Sequence, residues 1–403
     1  MANFPRHWLL NSHPLNERIK TKTDALIEKG LLRQRVLSTS KQSSASQTYI
    51  DFSHNDYLGF ASEPRLAKAL YDGAIKYGVG SRASPLVSGY SEAHQALEKR
   101  LCELTGYQGC MLFCSGYSAN SALMKTLFEQ NDIVIADKLV HASIIDGLKD
   151  CKAKISRFLH NDLNSASRLI ERYPQTAVIT ESIFSMDGDI APMAELSALC
   201  AQHGSILIID DAHGFGVLPA FAVNAELADI QVVTFGKALG CQGAAILASQ
   251  DVIDYFVAQS RHYIYSTALS PANAYLALAA VNLAQDEPQH VAKLTHNINL
   301  FRKLSLAYQL PITDSVTAIQ PMIIGDNAMT IILAKKLSER GYKVGAIRSP
   351  TVPLGQERLR ITLNALHCDN DIYLFIETLT ELLKANGLLK QTDMATSQPL
   401  VAK

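Results

Sequence analysis

Asp210-Asp211-Ala212-His213-Gly214 and Thr234-Phe235-Gly236-Lys237 bring two carboxylates, an imidazole and an amine into one short stretch of chain. Ahead of the first motif runs Ile206-Leu207-Ile208-Ile209, an apolar segment of strand length. Asp210 is therefore expected at the carboxyl end of a buried strand, where open α/β sheets hold their ligands. Val232-Val233-Thr234-Phe235 reads as a second strand that delivers Lys237 to the same edge. This is the set that pyridoxal 5'-phosphate (PLP) chemistry needs. A lysine carries the cofactor covalently, and an aspartate keeps the pyridine nitrogen protonated so that the ring accepts electrons. Either motif alone is ordinary, a strand ending in a capped turn or a solvated lysine after a glycine. Their order and company carry the reading.

Further pieces fit around that pair. Ser115-Gly116-Tyr117-Ser118-Ala119-Asn120 follows a strand and opens a helix, so its free N–H groups suit a phosphate, with Tyr117 placed to face a ring. His141, in Asp137-Lys138-Leu139-Val140-His141, can lie flat on a ring or simply cap the next helix. Ser185, in Thr180-Glu181-Ser182-Ile183-Phe184-Ser185, can donate to a cofactor oxygen before the tight turn Asp187-Gly188. His213, three residues past Asp210, reaches the opposite side of such a ring, and the Thr234 hydroxyl reaches its phosphate. Ser266 and Thr267 offer two more hydroxyls. Arg348 sits in a loop stiffened by Pro350 and Pro353, where a fixed guanidinium can grip a carboxylate in bidentate fashion. Arg358 and Arg360 alternate with Leu359 and Ile361 and read as one solvated strand face.

The elements that must position these groups follow from the pattern. Residues 15–34 read as an amphipathic helix, 38–48 as a polar loop, and Tyr49–Phe52 as a short strand. From there to about 284, strands at 110–114, 133–136, 177–180, 206–209, 232–235 and 244–248 alternate with helical segments. That alternation implies an α/β fold with a large, mostly parallel sheet covered by helices on both faces. Asp286-Glu287-Pro288 marks a boundary, beyond which helix, strand, helix, strand, helix form a smaller α+β domain. The division expected is an N-terminal helix and arm over 1–50, packing with the small domain. A cofactor-binding domain over 51–284, a C-terminal domain over 285–390 and a disordered tail over 391–403 follow.

Composition narrows the function classes. The chain has 403 residues, a net charge of −1 and 48% apolar residues. This balance argues against nucleic acid or an anionic membrane as partner. No apolar run is long enough to span a bilayer, and the N-terminus lacks a secretion signal's apolar core. Seven scattered cysteines without a CxxC pair point to reduced thiols and a cytoplasmic protein. The twelve histidines form no HExxH and no cluster with cysteine, so no metal site is expected. No GxxxxGK[ST] appears to support nucleotide binding.

From about residue 15 to 385 the chain resembles the α-oxoamine synthase family of fold-type I PLP-dependent transferases. The resemblance rests on the ordered set FSHNDYLGF, VSGYSEAHQALE, TESIFSMDGDIAP, DDAHGFGV, TFGKALG and IRSPTVP. Gly80-Ser81-Arg82-Ala83-Ser84, Val87-Ser88-Gly89-Tyr90-Ser91 and IRSPTVP are similar to the branch that serves biotin biosynthesis rather than to those using glycine or serine. The resemblance implies a decarboxylative condensation of L-alanine with a pimeloyl thioester, either pimeloyl-CoA or a pimeloyl carrier protein. The products would be 8-amino-7-oxononanoate, carbon dioxide and free thiol. It implies that Lys237 carries PLP, Asp210 meets the ring nitrogen, and His141 stacks on the ring and acts in catalysis. His213 and Ser185 would surround the phenolic oxygen, while Gly116, Tyr117 and Thr234 hold the phosphate. Asn55 and Arg348 would bind the amino-acid carboxylate, with Arg33 and Thr351 on the acyl substrate. Ser266 and Thr267 would serve the partner's phosphate in a homodimer. Two segments depart from the family pattern. Val217-Leu218-Pro219-Ala220-Phe221-Ala222 is short and apolar where a glycine-rich basic stretch is usual, and Arg82 and Pro85 stand where small residues are usual. The alternatives are a sister synthase with another amino acid or acyl chain, and a PLP-fold protein kept as a non-catalytic binding module.

Overall fold

The computed structural model describes residues 13–33, 35 and 49–389. Its centre is a seven-stranded sheet of β2 (Gly109–Phe113), β3 (Ile133–Asp137), β4 (Lys154–Phe158), β5 (Ala177–Glu181), β6 (Ile206–Asp210), β7 (Ile230–Thr234) and β8 (Ala244–Ala248), in the order β2-β8-β7-β6-β5-β3-β4. The run from β4 to β7 is parallel, and β8 lies antiparallel between β7 and β2. The apolar runs in β5 and β6 are continuous because both faces of the sheet are covered. Ile208 points into a core with Met111 and Leu123. Its neighbours Leu207 and Ile209 point the other way, against Ile170 and Leu196. Each such side chain contributes about 1.5–3 kcal/mol on burial, so the sheet is a rigid base for the groups at its edge.

Strand order fixes where a ligand can sit. The chain runs outward from β3 to β4, then returns to place β5 on the other side of β3. The connections after β3 and β5 therefore leave in opposite directions and open a crevice at the carboxyl ends of the strands. His141 lies beyond the end of β3, Glu181 ends β5, Asp210 ends β6, and Lys237 follows β7.

A second sheet has four strands in the order β1-β10-β11-β9, where β1 is Ile50–Phe52, β9 Ile319–Ile323, β10 Tyr342–Ile347 and β11 Arg358–Thr362. The helices Gln289–Ala307, Asn327–Glu339 and Asp369–Ala385 accompany it. β1 pairs in parallel with β10, so the chain visits this sheet before it builds the large one.

Several boundaries differ from the sequence reading for local reasons. The N-terminal helix is Pro14–Glu28, opened by Pro14 at its first turn and capped by His13, and the chain leaves it at Gly30 with φ +63°. The strand expected at 232–235 spans Ile230–Thr234, because Gln231 is buried by its hydrogen bond to Asp211 and reads as polar only in isolation. β4 is an addition to the sequence reading. It is an edge strand with Lys154 and Arg157 exposed, and such polar edges lack the apolar signature of buried strands. The expected loop at 38–48 and tail at 391–403 lie outside the described residues.

Candidate active site

One cavity of about 190 Å³ gathers the groups that end these strands. It is lined by Gly116, Tyr117, Asn120, His141, Glu181, Asp210, Ala212, His213, Thr234 and Lys237. Asp210 is held on both sides, its Oδ2 accepting from Asn120 Nδ2 at 2.6 Å and its Oδ1 from the Ala212 N–H at 3.0 Å. Asn120 in turn donates to Ser143 Oγ at 3.1 Å, which ties the helix Gly116–Leu127 to the helix Ala142–Cys151. Burial pushes the Lys237 ammonium down to about 8, against the attraction of Asp210 and Glu181. A minor but appreciable fraction of this amine is therefore neutral near physiological pH, where an ordinary lysine has almost none.

Behind the lysine wall lie two neutral rings. His213 is buried, and burial first, with the charges of Lys237 and Arg360 after it, holds its imidazole well below the usual histidine range. Its Nδ1 lies 2.6 Å from the Tyr57 hydroxyl, whose own pKa burial pushes up to about 12. A tyrosine donating to Nδ1 fixes the tautomer with the proton on Nε2. Asp211, next to Asp210 in sequence, points away from the cavity lining and accepts from Ser182 Oγ and from Gln231 Nε2 at 2.8 Å. Burial pushes its carboxyl up to about 7.

The phosphate end is a helix N-terminus. Ser115 Oγ accepts the Ser118 N–H at 3.2 Å and Ser115 O accepts that of Ala119, so Gly116 and Tyr117 form the open first turn on the cavity. Thr234 lines the same end, its hydroxyl donating to Gly243 O at 3.2 Å. His141 caps its helix through Ser143, with Nδ1 2.7 Å from Ser143 Oγ, and its ring meets Tyr117 edge-on at 6.4 Å between centroids. The histidine is thus both a helix cap and a wall of the cavity.

These residues fit PLP. The cavity offers a desolvated amine, an anchored carboxylate, a helix N-terminus for a dianion and two flanking imidazoles. Two buried polar atoms on its lining, Asn120 Oδ1 and Glu181 Oε1, have no hydrogen-bond partner among the described residues. Buried polar atoms are seldom left so, and a polar occupant satisfies them.

The other residues singled out from the sequence fall into three places. Asn55 lies with Arg360, whose Nη1 donates to Asn55 Oδ1 at 3.0 Å. Arg33 Nη2 donates to Thr351 Oγ1 at 3.0 Å, and Arg348 Nη1 donates to Gly30 O at 2.8 Å, which joins the N-terminal segment to the loop after β10. Ser266 and Thr267 border a separate small depression with Cys114 and His262. Ser185 is absent from the cavity lining, and its carbonyl accepts from Arg360 Nε at 2.7 Å. The unusual segment Val217–Pro219 lines a second, mainly apolar cavity of about 200 Å³ that borders Tyr57 and His213.

The arginines of β11 require a correction. They form no solvated face, for Arg358 is 3% and Arg360 6% exposed. Arg358 Nη1 pairs with Asp187 Oδ1 at 2.6 Å and reaches Met186 O. Arg360 also donates to Thr362 Oγ1 at 3.0 Å. Both guanidiniums cross to the loop between β5 and the helix Met193–Gln202, an acceptor set that no local pattern on β11 displays. That loop is fastened from the other side by His160, whose Nδ1 lies 3.0 Å from Asp137 Oδ1 and Nε2 2.6 Å from Asp189 Oδ2. Burial opposes charge on this ring, but hydrogen bonds to the two carboxylates outweigh it and push its pKa up to about 10. The sequence reading gives Asn120, Tyr57 and His160 no role and misassigns Arg360. Only Asn120 had a local signal, one turn after Gly116 on the same helix face.

The family model for aminotransferase class I and II matches residues 47–379. The 8-amino-7-oxononanoate synthase of Photobacterium profundum is 41% identical over 390 residues, covering 93% of this chain and 99% of its own. The enzyme of the same name from Cronobacter sakazakii is 43% identical over 359 residues, covering 86% of this chain and 94% of its own. Among solved structures, 8-amino-7-oxononanoate synthase from Francisella tularensis matches with a TM-score of 0.75 at 30% identity, over 85% of this chain and 100% of that one.

Proposed function

This chain belongs to the aminotransferase class I and II family, in its 8-amino-7-oxononanoate synthase group, and on that premise we propose how its own residues carry the reaction. It is a PLP-dependent acyltransferase of biotin biosynthesis. It condenses L-alanine with a pimeloyl thioester and releases carbon dioxide and the free thiol as 8-amino-7-oxononanoate forms. Bound in the cavity, PLP supplies a ring that draws electrons from the alanine Cα. Lys237 carries the cofactor. With alanine bound, the Lys237 amine, lowered by burial to about 8, would serve as the general base toward the Cα proton. Asp210, fixed by Asn120 and the Ala212 N–H, would hold the ring nitrogen and keep it cationic. His141 covers one face of the ring and is placed to give a proton to the thioester carbonyl. His213, neutral with its proton on Nε2, donates toward the phenolic oxygen, and Ser185 completes that side. Gly116, Tyr117 and Thr234 hold the phosphate.

Arg360 and Asn55 take the alanine carboxylate. Arg360 is the buried cation on this side of Lys237, and its fork is pre-aimed by Ser185 O and Asn55. Arg348 then acts from the rim, and Arg33 with Thr351 contacts the acyl substrate. The enzyme works in the cytoplasm as a homodimer. Ser266 and Thr267 serve the partner's phosphate, a reading supported by exposed apolar side chains beside them at Leu86, Val87 and Tyr265. The acyl donor is pimeloyl-CoA or the pimeloyl carrier protein.

The observation that carries this reading is the convergence of Lys237, Asp210, His141 and the Gly116 helix end on one cavity. The test is mass spectrometry of the product made from pimeloyl-CoA with L-alanine, glycine or L-serine. The reading expects 8-amino-7-oxononanoate from alanine in preference to the other two. Preferred turnover of glycine or serine, or of a longer acyl chain, would move the protein to a sister synthase.

A further inference from the structure

Glu181 has no part in the scheme above, yet it stands on the wall of the same cavity. It ends β5 in direct register with Asp210 at the end of β6, so the two carboxyl groups leave adjacent parallel strands side by side. Glu181 is 3% exposed. The His141 N–H is the backbone group that lowers its pKa, and its Oε1 has no partner among the described residues. Asp210, by contrast, accepts a hydrogen bond at each oxygen. Two neighbouring anions removed from water repel one another, and a buried charge without a hydrogen-bonded partner is costly. The cation that both carboxyls feel is Lys237.

We infer that Glu181 works as a neutral carboxylic acid, a positioning residue whose Oε1 hydroxyl satisfies itself on the occupant of the cavity and leaves Asp210 the single anion facing the ring nitrogen. The inference rests on the placement of PLP by Lys237 and Asp210. Burial, and then the Asp210 charge, push the Glu181 carboxyl well above the usual range despite the opposing pull of Lys237. A neutral acid beside His141 also explains how a glutamate can lie so close to the site without competing with Asp210 for the pyridinium proton. An ionised Glu181 would offer that proton a second acceptor and blur the orientation of the ring.

The test uses holoenzyme at neutral pH, with two variants and two readouts. Infrared difference spectra between wild type and Glu181→Gln should show a protonated-carboxyl stretch that the variant lacks. Glutamine keeps the size and the neutral charge, so the pH midpoint of the visible cofactor absorbance should stay within about half a unit. Glu181→Leu removes the hydrogen bond as well and should lower kcat by roughly tenfold while shifting that midpoint. Absence of the carboxyl stretch, or a shift of a full unit in Glu181→Gln, would overturn the inference, because glutamine would then have removed a charge. A Leu variant indistinguishable from wild type would overturn it too. Should Glu181→Leu not fold, the difference spectrum of Glu181→Gln decides alone. If Lys237→Ala keeps its activity, the PLP placement itself has failed. If Lys237 behaves as expected and the stretch is missing, only this inference falls.

Discussion

The strand-end cavity and the arginine pair of β11, of which Arg360 is near enough for its charge to act on Lys237, are built by opposite rules. In the cavity each group is placed by its own segment. Asp210 and Glu181 end strands, Gly116 opens a helix, and His141 caps one. On β11 the side chains are placed by what they reach. Arg358 and Arg360 are defined by Asp187, Met186 O, Ser185 O and Asn55, which lie 171 to 305 residues away in sequence. The same alternation of arginine with leucine and isoleucine that suggests a solvated face is here a buried one. An arginine is buried when its fork finds acceptors, and acceptors are a tertiary property.

The sharpest way to break this comparison is at the covalent centre. Lys237→Ala should abolish the visible absorbance of the lysine-bound cofactor and lower kcat by about four orders of magnitude. Spectroscopy and steady-state rates measure both, and near-wild-type turnover would remove Lys237 from its role.

Next comes the contrast within β11. Arg360→Ala should lower kcat/KM for L-alanine by about two to three orders of magnitude, through loss of a charged hydrogen-bonding partner worth about 2–5 kcal/mol. Arg360→Lys should not restore it, because three protein acceptors use the planar fork. Arg358→Ala should instead cost about 3 kcal/mol of stability with kcat/KM changed by less than about tenfold. Denaturation midpoints beside alanine kinetics separate the two. If both variants lost only stability, the carboxylate would belong to Arg348.

Smaller effects follow from titration. Neutral Lys237 amine accumulates as pH rises through about 8, so the rate at which apoenzyme captures PLP should climb with a midpoint near 8. A midpoint in the ordinary lysine range, about 10.4, would contradict the desolvation of the site. His160 gives the mildest test. Its folded pKa lies near 10, above the ordinary value of 6.5, so the stability it adds is full below about 6.5 and is lost as pH rises through about 10. His160→Asn should therefore lower Tm by a few degrees at pH 6, with the gap closing toward pH 10. A constant gap across that range would point to packing against Phe184 rather than to the ion pairs.

How much was legible in the sequence follows the same division. The parallel sheet could be read because β5 and β6 are covered on both faces and so carry continuous apolar runs. β4 could not, since an edge strand with Lys154 and Arg157 looks like a loop. The cavity residues Lys237, Asp210, His141, His213, Thr234, Gly116 and Tyr117 were visible as strand-end and helix-start motifs, and the structure brings all of them together. Asn120 and Glu181 stand in those same motifs, but their value appears only once β5 and β6 are in register and two helices meet at Ser143. Tyr57 and His160 depend on contacts 156 and 23 to 29 residues distant, and nothing near them in sequence announces a partner.

The most direct test of the account is exchange of the L-alanine Cα proton with solvent deuterium, followed by NMR with holoenzyme and no thioester present. The account predicts ready exchange in the wild type. In Asp210→Asn it predicts retained PLP but exchange reduced by at least about a hundredfold, because the ring nitrogen no longer stays cationic. Equal exchange in the two proteins would contradict the pairing of Asp210 with the cofactor, and with it the central reading of the cavity.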